Sequence, residues 1–138
     1  PYFEQASESG LYDRRFGVLD LELAAVASRT GRRVQAFVEA ASRKGRKIAS
    51  FDGTNAVADL LNQEVDFVCV ATPDDRHFAA ARAALAAGKH VLIEKPSVLS
   101  LTELDELCAL AAERSVLAKV VYHKLLDPDH KKLRTFVV

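Results

Sequence analysis

Short apolar runs alternate with stretches of helical periodicity along most of this chain, and that alternation limits its fold more than any single motif does. The runs are LELAAVAS (21–28), KIASF (47–51), VDFVCVATP (65–73), VLI (91–93) and VLAKVVYH (116–123). The third is the clearest strand, rich in β-branched residues and closed by Pro73. Between the runs, Val34, Phe37, Val38 and Ala41 recur at helical spacing, with Gly45 placed to end the helix. Residues 52–63 read as a short helix capped by Asp52 or Thr54. An alanine-rich helix opens at Asp74 or Asp75 and closes at Gly88. Ser100 and Glu103 form a capping box before a helix whose inner face carries Leu104, Leu107, Cys108 and Ala111. A last helix starts at Asp127 and Pro128. Strands that are apolar throughout, joined by short connections through helices, predict an α/β fold with a parallel sheet and helices on both faces.

The 19 basic and 19 acidic residues cancel, which removes any broad electrostatic case for nucleic acid or a membrane surface. At 49% hydrophobic and 28% charged, the composition is that of a folded globular chain. No apolar run approaches the roughly 20 residues of a membrane span. Cys69 and Cys108 read as a reduced, buried pair in a cytoplasmic protein. His77, His90, His123 and His130 lack the close spacing of a metal site. The absence of methionine and a helix-like opening, PYFEQASES, are expected of a chain that begins inside a longer protein.

Open parallel sheets bind ligands at the carboxyl ends of their strands. Those ends are Ser28-Arg29-Thr30, Ala71-Thr72-Pro73, Glu94-Lys95-Pro96 and Tyr122-His123-Lys124. Any one polar strand end is what a surface requires, but several together are more informative. The oddest is HVLIEKP (90–96), where a buried strand runs directly into a carboxylate, an amine and a proline.

The stretch VDFVCVATPDDRHFAAARAALAAGKHVLIEKP (65–96) resembles the signature of the Gfo/Idh/MocA oxidoreductases, the glucose–fructose oxidoreductase and inositol dehydrogenase group. The matching features are Thr72-Pro73, His77, Ala87-Gly88-Lys89-His90-Val91 and Glu94-Lys95-Pro96, in that order. The resemblance extends over roughly residues 20–138, because YHKLLDPDHKKLRTF also fits the family's passage into its second domain. It implies a Rossmann-like, doubly wound parallel sheet and a nicotinamide dinucleotide lying across the strand ends. Lys95 is then the catalytic residue, beside nicotinamide and substrate, where an ammonium hydrogen-bonds the substrate oxygen and stabilises charge. Glu94 is expected to fix the loop or the cofactor side, and Pro96 to follow a cis peptide. Ala71, Thr72, Pro73 and His77 join the cofactor set, although a histidine at a helix start is commonly a capping or surface residue. His123 and Lys124 are expected to border the substrate.

For the ribose end of the cofactor, an NAD-preferring site carries an Asp or Glu after its second strand. This chain has ASRTGRR (27–33), and Ser28, Arg29, Thr30 and Arg33 instead suit a 2′-phosphate through charge-assisted bonds. NADP(H) is therefore favoured and NAD(H) remains possible. The plainer alternative is that Arg32 and Arg33 solvate a helix's first turn, though cations there are mildly unfavourable.

Two parts of the family pattern are missing. There is no G-x-G-x-x-G, and the first strand of the resembled fold would precede Pro1. The expectation is thus a dinucleotide-binding domain over 1–122 without its first strand, the start of an α/β substrate domain over 123–138, and no activity in this chain alone. The full-length protein is expected to be a homo-oligomeric oxidoreductase acting on a sugar, cyclitol or related polyol. The competing readings are a non-catalytic dinucleotide-binding or regulatory module, and a purely structural subunit.

Overall fold

The computed structural model describes residues 11–15, 17–122 and 127–136. The chain divides into two compact units, Pro1–Gln63 and Glu64–Val138. In the first, β1 (Leu11–Asp13) and β2 (Gly17–Leu19) form a small antiparallel hairpin with Tyr12 opposite Val18. Nothing in the hydrophobic pattern singles this hairpin out. β3 (Ala25–Ser28) and β4 (Ala49–Asp52) pair in parallel, Ala25 against Ala49 through to Ser28 against Asp52. The strand expected over 21–28 is shorter than its apolar run because a ladder extends only as far as both partners do.

Helix α1 (Arg32–Arg43) makes the crossover from β3 to β4. Its stripe centres on buried Ala41, with Val34 and Val38 half-buried, while Phe37 lies at the margin and is exposed. Helix α2 (Ala56–Leu61) begins after Asn55, not after Asp52 or Thr54, and no side chain caps it. Its buried Ala56 rests in a unit whose other buried apolar residue, among those described, is Ala41.

The second unit contains the larger core. β5 (Phe67–Val70), β6 (His90–Glu94) and β7 (Ala118–Val121) form a three-stranded parallel sheet in that order. Its register aligns Val68 with Val91 and Ala118, and Val70 with Ile93 and Val120. Alternate residues of a strand face opposite sides, so Val70, Val91 and Ile93 share one buried face. Helix α3 (His77–Ala86) packs there through Ala81, Ala84 and Leu85, and α4 (Leu101–Glu113) packs on α3 and β7. Asp74–Arg76 form a 3₁₀ turn ahead of α3, so the helix starts later than the aspartates implied and His77 is its first residue. Gly88, at φ +72°, closes α3; its N–H reaches the Leu85 carbonyl at 2.9 Å, a left-handed conformation that glycine adopts without strain.

Several expectations about α4 and the cysteines need correcting. Leu107 is buried, but Leu104 and Cys108 are exposed. Consecutive helix residues turn by about 100°, which carries Cys108 well away from Leu107. Cys69 is also exposed, because it lies on the sheet face opposite Val70. The two cysteines are free, as expected, but are not a buried pair. Although the residue is exposed, partial desolvation pushes the Cys69 thiol above its ordinary range.

The capping box is present with a shifted partner. Ser100 Oγ accepts from the Glu103 N–H at 3.3 Å, while the Glu103 carboxylate accepts from Leu99, one residue beyond the cap. Helix α5 (Pro128–Phe136) is capped by Asp127, whose Oδ1 accepts from the N–H groups of Asp129 and His130. Those two donors, Asp129 first, hold its carboxyl below the usual carboxylate range. No helix among the described residues is long and apolar enough to cross a membrane.

Candidate functional site

In the second unit β5 and β6 end at nearly the same level, since Val70 is level with Ile93. Two turns follow. The first, Ala71-Thr72-Pro73, is exposed at all three residues. The second begins at half-buried Glu94 and continues through exposed Lys95 and Pro96, joined by a cis peptide bond. The Glu94 carboxylate accepts a hydrogen bond from the Lys95 backbone N–H at 3.2 Å, so the acid fastens the turn that presents the lysine. Among the described residues no ion pair engages the Lys95 ammonium.

His77 requires a correction. Its side chain is wholly buried, and both ring nitrogens are engaged by the protein. Nε2 lies 2.7 Å from the Thr72 carbonyl oxygen and Nδ1 lies 2.6 Å from the Pro96 carbonyl oxygen. It therefore has no ring nitrogen left for a cofactor, and acts on the two turns from beneath. The sequence signal was its place at the start of a helix that follows one strand end and packs under the next. The sequence left a cofactor contact open beside a capping or surface role, and the structure instead buries the ring.

The first unit presents its own strand end. Half-buried Ser28 accepts the Gly31 N–H on Oγ at 2.9 Å, which leaves its hydroxyl proton free to donate. Arg29, Thr30 and Arg32 are exposed, and no ion pair of Arg29 or Arg32 occurs among the described residues. The side chain of Arg33 lies outside the described residues. Gly31 is at φ +68°, and a Cβ there would stand 2.8 Å from Asp52 Oδ2. The Asp52 carboxylate thus belongs to this edge, although the sequence marked Asp52 only as a helix cap. Its parallel register opposite Ser28 brings it there. His123 and Lys124, expected at the substrate, lie outside the described residues.

Comparison with known proteins agrees with the fold. The profile described as the oxidoreductase family, NAD-binding Rossmann fold, matches residues 5–122. UDP-N-acetylglucosamine 3-dehydrogenase of Acidithiobacillus ferrooxidans is 42% identical over 76 residues, covering 55% of this chain and 24% of that protein. Inositol 2-dehydrogenase 1 of Saccharopolyspora erythraea is 36% identical over 113 residues, 75% of this chain and 33% of that one. Among solved structures, the 3-ketoreductase KijD10 of Actinomadura kijaniata, in complex with NADP and TDP-benzene, superposes with a TM-score of 0.69 at 32% identity, covering 84% of this chain and 34% of its own. The chain spans about a quarter to a third of the length of these relatives. With parallel strands, a Thr-Pro and a Glu-Lys-Pro turn at neighbouring strand ends, and a profile match over residues 5–122, the chain belongs to the Gfo/Idh/MocA oxidoreductase family.

Proposed function

We propose that this chain is the dinucleotide-binding part of an NADP(H)-preferring oxidoreductase that acts on a sugar, cyclitol or related polyol, with Lys95 as its catalytic residue. The observation that carries the reading is the Lys95 side chain itself. It is exposed and free of ion pairs among the described residues, on a turn held by Glu94 at the carboxyl end of a parallel sheet. An unpaired ammonium in that position is free to hydrogen-bond a substrate hydroxyl or carbonyl oxygen and to stabilise charge on it.

The donor groups of the first unit fit a nicotinamide dinucleotide phosphate. Two unpaired guanidinium groups, Arg29 and Arg32, flank the Ser28 hydroxyl and Thr30, a set suited to a 2′-phosphate. Asp52 opposes a dianion at the same edge, so the preference for NADP(H) is a balance between the arginines and that carboxylate. When bound, the cofactor would supply the group that takes up or releases hydride. Ala71, Thr72, Pro73 and the Glu94–Pro96 turn would line its nicotinamide end, and residues 123–138 would begin the substrate domain. The sugar-nucleotide and inositol chemistry named for two relatives supports the polyol class.

The test is Lys95→Ala in the full-length protein, assayed with NADPH and NADH against a panel of sugars and cyclitols. Turnover is expected to fall by roughly 10²–10⁴-fold, while fluorescence titration of the cofactor is nearly unchanged. Unchanged turnover would end the reading. Cofactor binding without redox activity in the unsubstituted protein would favour a regulatory module.

A further inference from the structure

The His77 side chain is buried more completely than its place at a helix start requires. It is the buried polar residue among those described, with an exposure of 0%. Both of its partners are backbone carbonyls, of Thr72 and Pro96, which belong to the turns after two neighbouring strands. A carbonyl oxygen only accepts, so the ring donates from a protonated nitrogen and the tautomer decides which carbonyl receives it. The ring nitrogens stand 2.6 and 2.7 Å from those two oxygens, within hydrogen-bond reach of both turns. The charged residues of the two turns, Asp74, Asp75, Arg76, Glu94 and Lys95, are exposed or half-buried, and no hydrogen bond joins them to the ring.

We infer that His77 is a positioning residue for Lys95: its buried ring, lodged between the Pro96 and Thr72 carbonyls, ties the Lys95–Pro96 turn to the Thr72–Pro73 turn and so sets where the ammonium stands. The inference rests on the reading of Lys95 given above. The other fastening of that turn, Glu94 carboxylate to Lys95 N–H, is exposed, so water competes for it. The His77 bonds face no such competition. The ring is anchored in turn by α3, whose Ala81, Ala84 and Leu85 are shut from solvent against the sheet.

Two measurements test the inference separately. The first needs no substrate: ¹⁵N NMR of protein labelled at histidine. The expected result is a His77 ring N–H in slow exchange with water, and a ring N–H that exchanges as fast as that of exposed His130 overturns the buried brace. The second is kinetic, in the full-length protein, with His77→Gln and His77→Phe. Gln retains an amide donor for one carbonyl, and Phe retains the planar bulk without donors. The expected kcat falls roughly 10–10²-fold for Phe and less for Gln, with the cofactor KM within about twofold. A His77→Gln variant with unaltered kcat overturns the positioning role, as does a loss confined to cofactor KM. If the unsubstituted protein turns over no substrate while the His77 ring N–H is protected, the reading of Lys95 fails, and the positioning role with it, but the brace itself stands.

Discussion

In the second unit Leu85, Ile93 and His77 are shut from solvent, whereas the first unit buries only Ala41 and Ala56 among its described residues. The two units also offer their ligand edges differently. Around Lys95 the turn is held by hydrogen bonds that end on a buried ring. Around Arg29 the edge is a two-stranded sheet end with exposed cations and one carboxylate. The difference follows from the work each edge is proposed to do. Stabilising charge on a reacting oxygen depends on placement to a fraction of an ångström, which only a packed support maintains. Attracting a phosphate depends on charge that acts over several ångströms, which tolerates a looser frame.

The sharpest way to break that comparison is to remove core volume from each unit. Leu85→Ala is expected to cost about 2–5 kcal/mol in denaturant unfolding, because a fully buried side chain leaves a cavity. Val26→Ala, in half-buried β3, should cost about 1 kcal/mol, nearer the value for partial burial. Equal losses would mean that the units are equally supported.

A smaller effect is expected at the first unit's edge. Gly31→Ala places a Cβ at a positive φ and against Asp52 Oδ2, and should cost about 1–2 kcal/mol. The loss is read from the unfolding midpoint. A neutral result would show that the Ser28–Gly31 turn relaxes freely and is not held by its hydrogen bond. Smallest of all, Asp52→Asn removes the carboxylate beside the arginines without changing its size. The ratio of NADPH to NADH affinity is expected to rise by about two- to fivefold, the scale of an exposed charge interaction. A fall in that ratio would place Asp52 on the side of phosphate binding and overturn the balance drawn above.

Much of this was legible along the chain. The helix stop at Gly88, the Ser100 cap of α4 and the parallel strand at 90–94 each depend on a few neighbouring residues, so local chemistry reveals them. The Thr-Pro and Glu-Lys-Pro turns were visible for the same reason. Burial was read less well. Cys69, Leu104 and Cys108 were expected inside and are exposed, because an apolar residue is covered only if the opposing layer reaches it. Asp52 was seen as a cap, since nothing local shows that it is registered against Ser28.

His77 marks the same boundary most clearly. The sequence by itself determined the order of strands and helices from Ala25 onward, their parallel pairing and the presence of a lysine at a strand end, because periodicity and turn chemistry act within a few residues. Only the tertiary structure decided that His77 faces inward and joins two carbonyls 24 positions apart, Thr72 and Pro96. That arrangement depends on the length of α3 and on the register of β5 against β6, and neither is written in any short stretch of the chain.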